Sequence, residues 1–281
     1  AKEHIVVASE QAIWRYAAAD RAAAPVQLVP STRSQFLPQF SNDGTHLAFS
    51  STRSGSPEIW IARVDGTGLR QMTDMRHPVT DMGPWSPDDT ILSFVAHTRE
   101  GRRLYFVAVP DGEPEAVSPP DVEGIGSGWS KDGRFYYYAS ARTGRREVWR
   151  VDRVTRAHEQ MTTGGADRGF ESGTGTFYYW ALTADAGPSL RRRSAQGDEP
   201  VQLTPRPHPL ELTVTSPRGF YYRAVDSSTI YHYDELADRS TRVITIPRPL
   251  GMFTVSPGGD FVAGSFLERE VVDLMLIERF R

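Results

Sequence analysis

The stretch "PQFSNDGTHLAFSSTRSGSPEIWIARVDGTGLRQMTD", residues 38–74, contains four short apolar runs separated by turn residues. The first run ends at a serine and is followed by Asp43-Gly44, a dipeptide that suits tight turns because glycine adopts positive φ and aspartate bonds its own backbone. The runs are rich in β-branched and aromatic residues and show no 3.6-residue period, as is typical of β-strands. The stretch therefore predicts a unit of four antiparallel strands.

The same unit recurs along the chain. The serine that ends the first run, Ser41, is followed at intervals of 40 to 45 residues by Ser86, Ser130, Ser172, Ser216 and Ser256. The closing run "RQMT" at 70–73 returns as "EQMT" at 159–162 and "VQLT" at 201–204. An aliphatic-aromatic pair keeps its place in the third run at Ile13-Trp14, Ile59-Trp60, Leu104-Tyr105, Val148-Trp149 and Ile230-Tyr231. Three markers in phase indicate a repeat of about 44 residues.

Four antiparallel strands in about 44 residues, repeated in this way, are typical of the blades of a β-propeller. We therefore predict an all-β fold in which residues 1–281 form a single β-propeller domain. Complete repeats are expected near 37–73, 82–118, 125–162, 167–204 and 211–245, and partial blades at 4–29 and 251–281.

The number of blades depends on the two chain ends. Each end carries three of the apolar runs, which brings the expected total to about 26 strands, two too many for six four-stranded blades and two too few for seven. Because propellers usually close by completing one blade from both chain ends, six blades are favoured and seven are the alternative.

The overall composition and net charge limit the classes of protein to which the chain can belong. Charged residues make up 24% of the chain and hydrophobic residues 39%, as in an ordinary globular protein. The net charge of -3 does not favour a nucleic-acid or membrane surface for the chain as a whole. The absence of cysteine excludes a disulfide framework and thiol chemistry. No apolar run approaches the roughly 18 residues of a membrane-spanning helix, so no membrane span is expected in this segment.

Residues 38–60 resemble the repeat of TolB-type, WD40-like β-propellers, with its proline, aromatic residue, Ser-Pro-Asp-Gly turn, Ala-Phe strand, Ser-x-Arg-x-Gly and Glu-Ile-Trp. The matching residues are Pro38, Phe40, Ser41, Asp43, Gly44, Ala48, Phe49, Ser51, Arg53, Gly55, Glu58, Ile59 and Trp60. The unit at 129–149 carries much of the pattern, whereas the units starting near 167, 208 and 250 depart from it. The resemblance implies the fold, and it says less about function because such propellers serve many roles.

The chain ends show a narrower resemblance. "VVDLMLIERFR" at 271–281 and "AIWRYAAAD" at 12–20 are similar to the C-terminal propellers of bacterial regulators that join a winged-helix DNA-binding domain to TolB-like repeats. Similar propellers also follow some bacterial serine/threonine kinase domains. The resemblance implies the sensory or interaction domain of a larger bacterial regulator. The compartment stays open between periplasm and cytoplasm, with the periplasm slightly favoured.

Candidate binding residues lie in the connections that lead from the closing strand of one blade to the first strand of the next. In a propeller these connections ring one mouth of the central channel, where loops of all blades converge. We predict a polar ligand site there, formed by Arg33, Arg76, His77, Asp81, Glu123, Asp167, Arg168, Arg206, His208, Glu211 and Arg248. Such a funnel could hold a peptide, a carbohydrate or an acidic metabolite. The alternative is that the mixed charges pair with one another.

Signals for catalysis are weak. The nucleophile pattern Gly-x-Ser-x-Gly is absent, and no two of the seven histidines have the i, i+4 spacing of a zinc-binding helix. We therefore predict no catalytic residue, no enzyme and no cofactor. Calcium on the channel axis is the alternative, since Asp81, Glu123, Asp167 and Glu211 are hard oxygen ligands from different loops.

Three functions follow. The preferred hypothesis is a non-enzymatic propeller that binds a protein, a peptide or a small polar ligand such as a carbohydrate, as the sensor of a larger regulator. The second is a propeller enzyme of the polysaccharide lyase or lactonase type that uses a metal ion in the channel. The third is a periplasmic docking component of the TolB type. The basic stretches at 142–150 and 190–196 are interpreted as solvated or paired with acids, so no direct nucleic-acid contact is expected.

Overall fold

The computed structural model describes residues 4–20, 23–122, 128–183, 187–209, 214–225 and 227–275, and every regular element in these ranges is a β-strand. The first twelve strands are β1 (His4–Ala17), β2 (Val26–Gln27), β3 (Gln35–Phe40), β4 (His46–Ser51), β5 (Glu58–Arg63), β6 (Arg70–Gln71), β7 (Val79–Trp85), β8 (Ile91–Thr98), β9 (Gly101–Ala108), β10 (Glu115–Ala116), β11 (Gly128–Trp129) and β12 (Phe135–Ser140). The others are β13 (Glu147–Asp152), β14 (His158–Gln160), β15 (Ala166–Glu171), β16 (Phe177–Thr183), β17 (Gly187–Ser194), β18 (Gly197–Pro200), β19 (Val214–Ser216), β20 (Gly219–Arg223), β21 (Thr229–Asp234), β22 (Arg239–Thr245), β23 (Phe253–Val255) and β24 (Phe261–Met275).

The strands form six antiparallel sheets of four, which are the six blades of a propeller. Blades 1 to 5 are consecutive meanders, β3–β6, β7–β10, β11–β14, β15–β18 and β19–β22. Blade 6 has the order β2-β1-β24-β23, so both chain ends contribute two strands and the ring closes by strand pairing. The prediction of six blades is confirmed, and the alternative of seven is wrong.

The expected total of 26 strands was wrong by two, and both errors lie in blade 6. The runs "HIVVAS" and "AIWRY" belong to one strand, β1, and "FVAGSF" continues into "VVDLM" as the single strand β24. The two strands pair with each other from His4↔Met275 to Ala17↔Phe261, with a register shift at Glu10/Gln11. The shift leaves Glu268 of β24 as the extra residue of a bulge, and both strands continue past the polar residues that separate their apolar runs.

The core lies between neighbouring blades. One buried cluster joins Ile59 and Met72 of blade 1 to Leu92, Phe94 and Val107 of blade 2. The aromatic residues next to the repeat serine are buried as well, with 9%, 4% and 5% of the surface exposed at Phe40, Trp85 and Trp129. These aromatic positions therefore contribute to the packing between blades.

Candidate functional site

The first strand of each blade lies at the inner end of its sheet and pairs on one side only. Five of these strands end just before the repeat serine, and β19 ends at it, Ser216. The turns that follow the serines therefore meet around one end of the channel. We call this end the turn mouth, and the opposite end, formed by the connections between blades, the connection mouth.

A cavity of about 310 Å³ opens at the turn mouth and is lined by all six blades. Its inner positions, two residues before the serine, are Gln39, Pro84, Gly128, Phe170, Val214 and Thr254. Its rim positions, one residue after the serine, are Asn42, Pro87, Lys131, Gly173, Pro217 and Pro257. No described residue earlier in the inner strands lines it, so the cavity is a shallow cup.

The repeat serines are used to fix the turns around this cavity. Ser41 Oγ donates to Asp43 Oδ1 at 2.6 Å and accepts from the backbone N–H of His46 at 2.9 Å. The same serine–aspartate bond of 2.6 Å joins Ser86 to Asp88, and again Ser130 to Asp132. The Ser41 hydroxyl and the backbone N–H of Thr45 hold the pKa of Asp43 below its ordinary value. These aspartates therefore have the turn role that their position in the repeat predicts.

Blades 4 to 6 lack the aspartate in this turn, and blade 5 places a histidine beside its serine. Ser216 Oγ lies 2.7 Å from His232 Nε2, and burial lowers the pKa of His232, which favours the neutral ring. A serine–histidine pair resembles a nucleophile with its base. However, no carboxylate among the described residues bonds the other ring nitrogen, and Ser216 is only 7% exposed. The pair therefore serves the turn, as the serine–aspartate bonds do elsewhere.

Indole groups bond one blade to the next on one side of the cavity. Trp85 Nε1 donates to the carbonyl of Gln39 at 3.0 Å, and Trp129 Nε1 donates to the carbonyl of Pro84 at 3.1 Å. In the remaining blades the same position is held by Glu171, Thr215, Val255 and Phe40. At this position, aromatic rings form the cavity wall in blades 1 to 3, and smaller side chains form it in blades 5 and 6.

Charge is scarce in the cavity. Among the described residues that line it, Lys131 and Glu171 alone are charged. Glu171 accepts hydrogen bonds from the backbone N–H of Lys131, at 2.9 Å, and from the hydroxyl of Tyr137. The Lys131 side chain is exposed, and no carboxylate in the described part of the chain forms an ion pair with it. The arrangement suits binding better than acid–base chemistry.

The residues predicted as a ligand site lie toward the connection mouth and do not form one cluster. Asp81, Asp167 and Arg168 are buried in the inner strands, with 1%, 6% and 5% of their surface exposed. Asp167 pairs with Arg146, which is not one of the predicted residues, at 3.1 Å. The exposed or half-buried members are Arg33, Arg76, His77, Arg206, His208 and Arg248, whereas Glu123 and Glu211 lie outside the described residues.

Two of the predicted residues do come together. His208 and Arg248 line a wide hollow of about 620 Å³ between blades 5 and 6, next to Arg223. Arg223 Nη1 donates to the carbonyl of Leu250 at 3.2 Å. Both His208 and Arg248 have further contacts in the protein, so the hollow is an open surface feature rather than a prepared anion site.

Buried glutamates shape the connection mouth, and the sequence analysis gave them no role. Glu58 accepts from Thr73 Oγ1 and from the backbone N–H of Met75, the latter at 3.0 Å. Glu147 repeats the arrangement with Thr162 Oγ1 and the backbone N–H of Gly165. The signal was present in the repeated Glu-Ile-Trp and Glu-Val-Trp motifs, and the role of these glutamates is to fix the backbone of the connection.

Neither a metal centre nor a membrane helix is evident in the described ranges. No three His, Asp or Glu side chains there are placed to hold a metal ion. Two of the four residues named for calcium, Asp81 and Asp167, are buried in different inner strands. The described residues also include no helix long and apolar enough to cross a membrane.

The turn mouth is the feature that sequence reasoning missed. The signal for it in the sequence is the stretch around the repeat serine, which also marks the repeat. Uncharged residues such as Gln39, Pro84 and Gly128 form most of its wall.

Comparison with known sequences agrees with this architecture. A model of the TolB beta propeller domain matches residues 22–206. Two tricorn protease homologues of Streptomyces coelicolor are 33% and 34% identical over 84 and 89 residues, which is 29% of this chain. The matched segment spans only 8% of the length of each of these relatives.

Solved structures share the fold at low sequence identity. A structure assigned as TolB from Agrobacterium tumefaciens has a TM-score of 0.70 at 15% identity, covering 93% of this chain and 99% of the other. TolB from Acinetobacter baumannii has a TM-score of 0.63 at 14% identity, covering 94% and 65%. An oligogalacturonate lyase from Vibrio parahaemolyticus has a TM-score of 0.55 at 10% identity, covering 94% and 98%. At these identities the likeness extends to the fold alone.

Proposed function

The chain belongs to the family of TolB beta propeller domains, and we propose that it is a non-enzymatic interaction domain that binds a segment of another protein at the turn mouth. The observation that carries the proposal is the cavity of about 310 Å³ to which all six blades contribute. Pockets that hold small ligands or side chains start at about this size, roughly 300 Å³.

The walls of the cavity support a peptide segment as the ligand. They combine aromatic and proline surface with hydroxyl groups, and they contain one exposed cation. The inner strands around the mouth have an unpaired edge, which can offer backbone hydrogen bonds to an extended chain. TolB-type propellers are protein-interaction domains, which agrees with this class of ligand.

The small number of charged side chains argues against catalysis at this mouth. General acid–base chemistry needs titratable groups within hydrogen-bond reach of a substrate. Glu171 is the one carboxylate among the described lining residues, and it already accepts two hydrogen bonds. The lyase alternative is supported by likeness in fold alone, for example to the Vibrio enzyme.

The larger context is part of the proposal. The chain matches a small part of the much longer tricorn protease homologues, and its ends resemble those of regulator propellers. We therefore propose that it serves as the sensory domain of a larger bacterial regulator. The mass and terminal peptides of the native polypeptide in its source cells test this, since a winged-helix domain in the same polypeptide is expected and its absence contradicts the regulator role.

The binding site is tested by filling the cavity. A phage library of displayed peptides is selected on the wild-type protein, and the selected peptides are titrated against Thr215→Trp and Thr241→Trp. Thr215 is exposed and lines the cavity, whereas Thr241 is exposed on the outermost strand of the same blade. We expect Thr215→Trp to bind the selected peptides at least tenfold more weakly than wild type, and Thr241→Trp to bind them as tightly as wild type. Equal binding to all three proteins contradicts the turn mouth as the site.

A further inference from the structure

We propose that the bound segment places an apolar side chain in the turn-mouth cavity and an adjacent Asp or Glu side chain on the ammonium group of Lys131. This inference rests on the proposed function and names the chemistry of the partner. Three observations support the proposal: the depth of the cavity, the position of Lys131 on its rim, and the ion pairs that nearby arginines form with aspartates.

The depth of the cavity limits what can enter it. Its lining ends two residues before the repeat serine, at positions such as Gln39 and Val214. Farther along the inner strands, Gln35, Asp81 and Arg168 are buried, at 1%, 1% and 5% exposure. A bound polypeptide segment therefore does not pass through the channel from the turn mouth. One apolar side chain fits the volume, while the backbone that carries it stays at the rim.

Lys131 stands on that rim, one residue after the serine of blade 3. Prolines occupy the same position in three other blades, at Pro87, Pro217 and Pro257, and Lys131 is the one charged residue among the six rim positions. Its side chain runs past Gly175 of blade 4 and is exposed to solvent. The ammonium group is thus available to a ligand at the edge of the cup.

Three arginines in the turns at this end of the channel already have acidic partners. Arg134 lies 2.9 Å from Asp152, Arg153 lies 2.8 Å from Asp88, and Arg218 lies 2.8 Å from Asp234. Among the described residues that line the cavity, Lys131 is the cation that a ligand carboxylate meets, and no internal carboxylate forms an ion pair with it.

Glu171 determines where the ligand carboxylate can lie. Its two oxygens accept from the Lys131 backbone and from Tyr137, which holds a negative charge on the blade 4 side of the rim. A second carboxylate inside the cup would be repelled by it. The acidic group of the ligand is therefore expected outside the cup and the apolar group inside, as in two neighbouring residues of one segment.

The test uses a small probe with the same two groups. The carboxylate 4-phenylbutyrate and its neutral amide, 4-phenylbutyramide, are titrated separately, and the indole N–H signals of Trp85 and Trp129 report on the cavity by NMR. Wild type and Lys131→Arg are expected to bind the carboxylate about two- to fivefold more tightly than the amide, the range of an exposed ion pair. Lys131→Met is expected to bind both probes equally. Arg134→Gln removes one positive charge from the same turn and should keep the preference.

Three results overturn the inference. Equal binding of both probes to wild type excludes the ion pair with Lys131. A preference for the carboxylate that persists in Lys131→Met shows that another cation causes this preference. Indole signals that move with neither probe exclude apolar insertion. The phage peptides test whether an Asp or Glu side chain of the bound segment supplies the carboxylate. Peptides selected on wild type should be enriched in Asp or Glu next to an apolar residue, and peptides selected on Lys131→Met should not. The Thr215→Trp comparison decides the proposed function independently of all these results.

Discussion

The indole Nε1 of Trp129 donates a hydrogen bond of 3.1 Å to the carbonyl of Pro84, across the boundary between blades 2 and 3. The bond links one inner strand to the next at the wall of the turn-mouth cavity. The indole N–H of Trp149, which marks the third strand of blade 3, has no acceptor among the described residues. The two tryptophans of one blade thus differ in whether the N–H is used.

We expect Trp129→Phe to lower the free energy of unfolding by about 1 kcal/mol more than Trp149→Phe. Both changes remove the same atoms, and only the first removes a buried hydrogen bond, which contributes about 1 kcal/mol. Urea unfolding of the two variants measures the difference. Equal destabilisation shows that the bond between blades does not contribute.

Asp89 joins blades 1 and 2. Its carboxylate accepts the backbone N–H of Asn42 at 2.7 Å and of Asp43 at 2.9 Å. We expect Asp89→Ala to cost about 1–2 kcal/mol of stability, because two donors of the neighbouring turn lose their acceptor. Asp74→Ala, which removes an exposed carboxylate, is the matched control, and urea unfolding that ranks the two variants equally would contradict the role of Asp89.

We expect low pH to destabilise the propeller because it protonates the aspartates of the turns after the repeat serines. Hydrogen bonds from Ser41 and Ser130 hold the pKa values of Asp43 and Asp132 below the unfolded value of 3.8. Their stabilising contribution is therefore fully present above this pH and is lost as the pH falls through the lower folded-state values. Stability measured against pH should decline below about pH 4, and Ser130→Ala should make the decline shallower. An unchanged slope in that variant excludes the serine as the cause.

Glu171→Gln tests the electrostatics of the rim. The substitution removes a negative charge beside Lys131 and keeps a side-chain oxygen that can accept from the Lys131 backbone N–H. The dissociation constant of 4-phenylbutyrate should fall about twofold, within the range for exposed charges. The dissociation constant of 4-phenylbutyramide should stay the same, and an equal change for both probes would indicate a change in cavity shape.

The sequence predicts the fold because the repeat has independent markers, such as the serine and the aliphatic-aromatic pair. It does not predict the number of strands, because the polar residues Glu10 and Gln11 continue β1 opposite a bulge at Glu268 of β24. Whether two neighbouring apolar runs are one strand or two depends on pairing with a distant segment, here β24.

The candidate site was harder to predict for a related reason. Charged residues indicated the connection mouth, yet side chains such as Asp81 and Arg168 are buried in the channel wall there. The open space lies at the other end, where small or rigid residues such as Gly128 and Pro84 face the axis. A cavity depends on the volume that side chains leave unfilled, which a pattern of residue types does not show.

The central claim, that a protein segment binds at the turn mouth, is tested most directly by photo-crosslinking. A photoreactive p-benzoylphenylalanine is placed at Pro217, an exposed position on the rim of the turn mouth, or at Arg206 near the connection mouth, and each protein is irradiated with a peptide selected on wild type. Mass spectrometry should find the peptide joined to position 217 and not to position 206. A peptide joined to position 206 alone, or to neither position, contradicts the account.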